Sequence, residues 1–470
     1  MNNFLQHKKP VVWTISGSDS GGGAGVQADL YSFQDFAVHG CSVISALTAQ
    51  NSFTVGYTVA TERKNIVAQI NALDSDLPAK AIKLGMLLNE EVITTVAKYI
   101  ADYSGYVVCD PHLMTASGDC LLADGAGALL RQHIIPRADV LSLNITEAQA
   151  LSGSTITQAD DMVTVAAQLL KQGARSVILT GGHFEDYSEL CLDYWSDGEQ
   201  SYWLQGEYID TVNDHGSGCS FSAAITAALA RGFSLQDALV LAKAYVSQGL
   251  RYAVQIGSGP GPVGHFGWPG DLDDLPVLAT QLPTLGLSFP ACDDTLQLCP
   301  VVTRLQQLPE LLDSELVSVL RLRIEGDDAW VSEAIDQCRQ QQVQVIIEGD
   351  WQRAIDEQAY GVHLELEQLS DEVLIALHEA KLMLGVAVHS YADIATADGV
   401  EPSYMELHVA AGEEGWAQLE QWVGLLADFY PLVAVSVADA KQINQCMMAG
   451  VDGVVVMAQQ LLAEDSSITL

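Results

Sequence analysis

Asn213-Asp214-His215-Gly216-Ser217-Gly218-Cys219-Ser220 runs directly into Phe221–Ala230, an Ala-rich apolar stretch closed by Arg231 and Gly232. The tail predicts a helix with Gly232 as its stop. Gly216 and Gly218 stand just before it, where a bare backbone turns sharply and aims several N–H groups at one point. A helix start carries unpaired donors and partial positive charge, so this end suits an anion. Cys219 lies in that field, which favours its thiolate. Together these features suit a site that stabilises a transferring phosphoryl group while a nearby hydroxyl is activated. The octapeptide reads equally well as a plain helix start with two turn glycines and a small buried Cys. The surrounding chain decides between them.

Upstream, Val11–Ile15 is an apolar run ending in Ser16-Gly17-Ser18-Asp19-Ser20-Gly21-Gly22-Gly23-Ala24-Gly25, with a helical stretch from Val26 to Val38. No glycine precedes a lysine anywhere, which excludes a Walker A loop, and the glycine spacing does not fit the dinucleotide pattern. Further strands are predicted at Ser42–Leu47, Ile82–Met86, Tyr106–Cys109, Val140–Leu143 and Ser176–Leu179, with helices at Glu90–Asp102 and Ala159–Gln172 between them. This alternation predicts a mostly parallel sheet wrapped by helices. Each polar cluster follows a strand, on the edge where α/β sheets place ligands.

The chain has 470 residues and a net charge of −39, too long for one ordinary core. Residues 1–268 hold 14 Lys+Arg and 26 Asp+Glu, a balance of −12; residues 269–470 hold 7 and 34, a balance of −27. So acidic a surface repels nucleic acid and anionic membranes. Nine cysteines stand singly without ligand spacing, which argues against a zinc site or a disulfide framework. The polar segment Met1–Pro10 does not read as a signal peptide and no run of eighteen apolar residues occurs, so a cytoplasmic protein is expected.

The ordered series Ser16-Gly17-Ser18-Asp19, Gly22–Leu30, Ala46–Asn51, Lys83–Leu87, Asp110-Pro111, Asn144-x-x-Glu147, Gly181-Gly182-His183, His215–Cys219 and Gly259–Phe266 resembles the hydroxymethylpyrimidine/phosphomethylpyrimidine kinases of thiamine biosynthesis. The resemblance implies a ribokinase-like three-layer α/β/α domain over 1–268, using ATP and Mg²⁺ on a small pyrimidine, and a homodimer. It implies a catalytic group of Cys219, Gly216 and Gly218, with Cys219 as base. Gln50 would read the pyrimidine edge, with Gly17, Asp29 and Met86 lining the same pocket. Asn144, Gly181, Ser217 and Ser220 would bind the nucleotide, and Asp110 and Glu147 would help hold Mg²⁺ through waters. Two cations common in the family are replaced, by Ala116 and Thr180, which weakens the case for a phosphorylated substrate. Pyridoxal kinase is the closest enzyme rival.

Residues 269–300 read as an acidic, Pro-punctuated linker. From 301 to 470, eight short apolar strands with helical stretches between most of them predict a TIM (β/α)₈ barrel. Gly361–Leu364, Gly385–His389 and Ala449–Val454 resemble thiamine-phosphate synthase. The positions that would hold its ligands are altered: Glu325 replaces a Lys, Gly349-Asp350 an Asn-Asp pair, Gln368 an Asp and Ser436-Val437 a Gly-Gly, with no Thr-rich loop near His408. An inactive barrel is expected, with a binding or regulatory module or a bifunctional chain as the other readings.

Overall fold

The computed structural model describes residues 9–113, 125–282, 285–292, 296–314, 317–326, 328–410, 412–435 and 440–463. It comprises two compact units, Met1–Leu282 and Pro283–Leu470. Among the described residues the first unit has strands β1 (Val11–Asp19), β2 (His39–Gln50), β3 (Val55–Ala60), β4 (Ala81–Leu84), β5 (Tyr106–Cys109), β6 (Val140–Asn144), β7 (Val177–Gly182), β8 (Leu190–Ser196), β9 (Ser201–Glu207) and β10 (Val277–Ala279). Its helices are α1 (Gly25–Asp35), α2 (Arg63–Asp74), α3 (Glu90–Ile100), α4 (Ala126–Leu129), α5 (Ile145–Ser152), α6 (Ala159–Leu170), α7 (Ser217–Arg231) and α8 (Leu235–Arg251).

The ten strands form one sheet in the order β10-β9-β8-β7-β6-β5-β4-β1-β2-β3. Its centre, from β2 through β1 to β7, is parallel, and antiparallel strands flank it on both sides. The strand order reverses beside β1, and a parallel sheet opens a ligand crevice at such a point. Trp13, Ile15, Ile82 and Leu84 join Ile66 of α2, Val92 and Val96 of α3 and Met162 of α6 in one core. α7 is buried from Cys219 to Ala230, which explains its small side chains: Ala-rich turns let α1 and α8 approach closely. It ends on Gly232 in a left-handed conformation, as predicted.

The linker reading needs correction. Leu272–Asp274 form a 3₁₀ turn and β10 pairs antiparallel with β9, burying Leu272, Leu275 and Leu278. Acidic residues and prolines dominate that composition, but three regularly placed leucines supply the burial that holds it to the sheet. Arg251 Nε donates to Asp274 Oδ1 at 2.9 Å and reinforces the join.

The second unit is a closed barrel of eight parallel strands: β11 (Leu298–Val302), β12 (Val319–Arg323), β13 (Gln344–Glu348), β14 (Gly361–Leu364), β15 (Met383–Val388), β16 (Tyr404–Leu407), β17 (Leu432–Val435) and β18 (Gly453–Met457). β18 pairs with β11 and closes the ring.

Candidate active site

The start of α7 is built as the octapeptide suggested. Gly216 takes a left-handed conformation with φ +83° and precedes Ser217, the first helical residue. Gly218 and Cys219, in the first turn, have no carbonyl one turn earlier within the helix to receive their N–H groups. Gly218 is exposed, and among the described residues no atom outside its own helix turn lies within 4 Å of the position a side chain would take, so ligand can reach this backbone.

A buried chain of charges runs beneath. Lys83 Nζ donates to Asp29 Oδ1 at 2.8 Å, and Thr14 Oγ1 to Asp29 Oδ2 at 2.5 Å. The same ammonium lies 3.8 Å from Asp110 Oδ2, which also accepts from Ser222 Oγ at 2.9 Å. Burial pushes the Lys83 pKa down, but Asp29, Cys219 and Asp110 together push it up and hold it charged. His112 bridges outward, with Nδ1 3.4 Å from Asp110 Oδ1 and Nε2 3.0 Å from Cys219 Sγ. Burial opposes ionisation of Asp110, yet His112, Lys83 and Ser222 outweigh it and hold its carboxyl at about 2.

Asp29 is fully buried, and its two oxygens accept from Lys83 Nζ and Thr14 Oγ1. Gly17 and Met86 do meet: a methyl group on Gly17 would lie 2.3 Å from Met86 Cε. Gln50 is half-buried, with Nε2 3.1 Å from His215 Nε2, and that ring nitrogen lies 3.3 Å from Asp19 Oδ2. The ring tautomer decides which of the two takes the bond. Asp19 also accepts N–H bonds from Gly21, Gly23 and Ala24, so one carboxylate folds the whole glycine loop around itself. Burial works against its charge, but His215 and these N–H groups lower its pKa overall.

On the nucleotide side, Gly181 is exposed and donates its N–H to Asp193 Oδ1 at 2.9 Å, while Asp193 is clamped by Lys243 Nζ at 2.8 Å. Ser217 is half-buried; Ser220 is buried, and its Oγ has no partner among the described residues. Asn144 and Glu147 form a capping box at the start of α5. Glu147 Oε1 accepts from Leu113 N and Oε2 from Asn144 N, and Asp110 is occupied by His112 and Ser222. Both carboxylates already hold protein partners, so a Mg²⁺ beside them would be reached through waters, as the resemblance implies. Ala116 to Asp119 and Ser436-Val437 lie outside the described residues.

Sequence reading missed Lys83, His112, Asp19 and His215 as site residues. Only His215 stood inside the quoted octapeptide. His112 follows Pro111 with no motif to mark it, and meets a thiol 107 positions away.

In the second unit, Arg321 on β12 is buried and paired with Glu406 at 2.5 Å, and it donates to Tyr404 OH at 3.1 Å. His363 Nδ1 lies 3.1 Å from the Tyr404 hydroxyl and His408 Nε2 2.8 Å from Glu406 Oε1. Glu325 is exposed, Asp350 caps a helix by accepting from Arg353 N, and Gln368 donates to Gly349 O. Asp350 and Gln368 thus serve local structure.

A helix-end anion hole, a buried thiol in its first turn and a buried ammonium beneath define a phosphotransferase site on the ligand-bearing edge of the sheet. A family model of phosphomethylpyrimidine kinase matches residues 19–264, and one of thiamine monophosphate synthase matches residues 297–459. Hydroxymethylpyrimidine/phosphomethylpyrimidine kinases of Synechococcus elongatus and Haemophilus influenzae are 43% and 42% identical over 258 and 261 residues, each match covering 55% of this chain and 97% of theirs. The thiamine biosynthesis bifunctional protein ThiED of Geobacter sulfurreducens is 37% identical over 256 residues, 54% of this chain and 52% of its own. Among solved structures, the pyridoxal kinase of Bacillus subtilis in an ADP complex has TM-score 0.50 at 32% identity, covering 55% of this chain and 97% of that one. The Staphylococcus aureus pyridoxal kinase in complex with AMP-PCP gives TM-score 0.50 at 31% identity, covering 55% and 93%. The chain belongs to the phosphomethylpyrimidine kinase family; its first unit is a ribokinase-like phosphotransferase and its second a TIM barrel.

Proposed function

We propose that the first unit phosphorylates 4-amino-5-hydroxymethyl-2-methylpyrimidine, and then its monophosphate to the pyrophosphate, with MgATP, in thiamine biosynthesis. The observation that carries this reading is Cys219 at the open first turn of α7, bonded to His112 above a buried ammonium. Cys219 takes the substrate hydroxyl proton as that oxygen attacks the γ-phosphorus. The N–H groups of Gly216–Cys219 hold the oxyanions, and the positive end of α7 stabilises their charge. Gln50 reads the ring, because its amide offers a donor and an acceptor together. Gly17 and Met86 bound the pocket, while Gly181, Ser217 and Ser220 hold the nucleotide. Thr180 in place of a cation makes the second phosphorylation the slower one. The test is a coupled ADP-release assay of the purified protein with both pyrimidines and with pyridoxal. Much faster turnover of pyridoxal overturns the substrate assignment.

Pyridoxal kinase is the second reading, favoured by the solved structures in ADP and AMP-PCP complexes. The higher identity to the pyrimidine kinases, together with Gln50 and Cys219, favours the pyrimidine.

The kinase domain of this proposal extends past residue 268 to include β10. The barrel is proposed as catalytically silent, a binding or regulatory module, because its central cation Arg321 is already neutralised by Glu406. A homodimer is proposed from the exposed apolar row Leu47, Phe53, Val55, Tyr57 and Val59 around edge strand β3. A cytoplasmic location is proposed; among the described residues no helix is long and apolar enough to cross a membrane.

A further inference from the structure

β7 and β8 pair antiparallel, and their register slips once: Leu179 faces Tyr194, whereas Gly182 faces Leu192. Two residues of β7, Thr180 and Gly181, thus stand opposite one residue of β8, Asp193. A bulge of this kind leaves a backbone group without its ladder partner and re-aims the strand, a device common beside active sites. Here Asp193 supplies the missing acceptor, its Oδ1 taking the Gly181 N–H at 2.9 Å. Gly181 has φ +80°, and among the described residues no atom beyond its chain neighbours lies within 4 Å of the position a side chain would take. Its outer face is open while its N–H is pinned to a buried carboxylate.

The other carboxylate oxygen is held by a cation from a helix. Lys243 of α8 places Nζ 2.8 Å from Asp193 Oδ2 and 3.4 Å from Cys191 Sγ, and both charged side chains are buried. Burial pushes the Lys243 pKa down, but Asp193 and Cys191 outweigh it and hold the ammonium charged. Gly206 of β9 leaves room for the lysine stem: a methyl group there would lie 3.0 Å from Lys243 Cε. Taking two charges out of water costs about as much as their attraction returns, so such a pair adds little stability over an apolar pair of the same size. What this pair adds is direction. The carboxylate cannot turn away from Gly181 while Lys243 holds it, and α8 packs along α7, the helix whose first turn forms the anion hole.

We propose that Asp193 and Lys243 are positioning residues for the nucleotide: they set the Thr180–Gly181 bulge in the shape that receives ATP, so that a buried ammonium governs ATP affinity without touching ATP. This rests on the reading of Gly181 as a nucleotide-binding residue. The effect is selective by placement. Gly17 and Gln50, on the pyrimidine side, belong to β1 and β2, and β6, β5 and β4 stand between β7 and β1 in the sheet. A shift of the bulge reaches the nucleotide and leaves the pyrimidine pocket in place.

The test combines steady-state kinetics of the full chain with MgADP affinity from calorimetry, which needs no turnover. Asp193→Asn keeps the volume, but its amide presents a donor to either Lys243 or Gly181, so one of the two bonds is lost. In that variant the ATP KM and the MgADP Kd are expected to rise about tenfold or more, the scale of a hydrogen bond to a charged group, with the pyrimidine KM within about threefold. Gly206→Ala keeps both charges and displaces the lysine stem; its MgADP Kd should rise about threefold or more, a fraction of the cost of a 1 Å misplacement. A pair that only stabilises the fold would lower the thermal midpoint and leave nucleotide affinity alone. A folded Asp193→Asn with a MgADP Kd within about twofold of wild type therefore overturns the inference, and where that variant does not fold, the same result in Gly206→Ala does so. Gly181→Ala, strained at φ +80°, should also weaken MgADP. Normal MgADP binding there overturns the nucleotide reading of Gly181 instead, and with it the role of the pair.

Discussion

Gly216 packs against the carbonyl oxygen of Gly23 so closely that a methyl group on it would lie 1.9 Å from that oxygen. The contact locks the anion hole to the glycine loop that Asp19 gathers. Gly216→Ala adds both this clash and a left-handed φ that Ala resists. The loops must separate, so turnover is expected to fall about a hundredfold, the scale of a 1 Å misplacement. Circular dichroism and steady-state kinetics check it: a folded variant with normal kcat would show that the anion hole tolerates the shift.

Cys219→Ala is expected to leave the fold intact and lower kcat about 10²-fold or more, the usual worth of a general base. Cys219→Ser should keep a fraction, since a hydroxyl can still hydrogen-bond His112. Single-turnover kinetics with saturating MgATP measures the chemical step directly.

Gln50→Leu removes the group proposed to read the ring. The pyrimidine KM should rise by the equivalent of about 1–3 kcal/mol, the cost of an unsatisfied buried polar group, with the ATP KM unchanged. His215 loses a neighbour in the same variant. Equal weakening of both substrates would identify Gln50 as a support for the loop, with no direct part in recognition.

Glu406 gives the barrel an acid limit. Burial disfavours its charge, but Arg321, His363 and His408 hold its carboxyl well below the usual 4.5. A depressed pKa contributes stability above the unfolded value and loses it as pH falls below about 4.5 toward the folded value. Urea unfolding of the barrel's transition at pH 7, 4.5 and 3 should show a falling midpoint. Glu406→Gln should cost about 3–5 kcal/mol at pH 7 by leaving Arg321 buried without a counter-charge, and should flatten the pH dependence. A flat wild-type profile would refute this account.

The full-length protein given pyrimidine pyrophosphate, thiazole phosphate and Mg²⁺ is expected to form no thiamine phosphate by mass spectrometry. The exposed carboxylate of Glu325 stands where the resembled synthase has a lysine, and repels a polyanion. Steady enzyme-dependent product would make the barrel a working synthase.

Much of this architecture was legible because hydrophobic period and glycine placement report local backbone demands. The alternation of strands and helices, the stop at Gly232 and the turn at Gly216 each follow from such a demand. What escaped depends on contacts distant in sequence. The Lys83–Asp29 pair spans 54 positions and the His112–Cys219 pair 107, and neither leaves a spacing signature. The partners of the Asp29 carboxylate escaped for a related reason: a resemblance names a residue without saying which way its side chain faces. β10 escaped because its flanking acids and prolines outweighed three residues of strand.

β10 carries a practical and a temporal consequence. The strand that finishes one edge of the kinase sheet comes from the segment leading to the barrel. A cut near residue 270, as the linker reading would suggest, strips β9 of its neighbour and leaves an open edge able to pair with other chains; a cut after Leu282 spares it. On the ribosome, likewise, β9 stays the edge of this sheet until Val277–Ala279 has emerged, so a nascent kinase completes its sheet with residues made only as the barrel is about to begin.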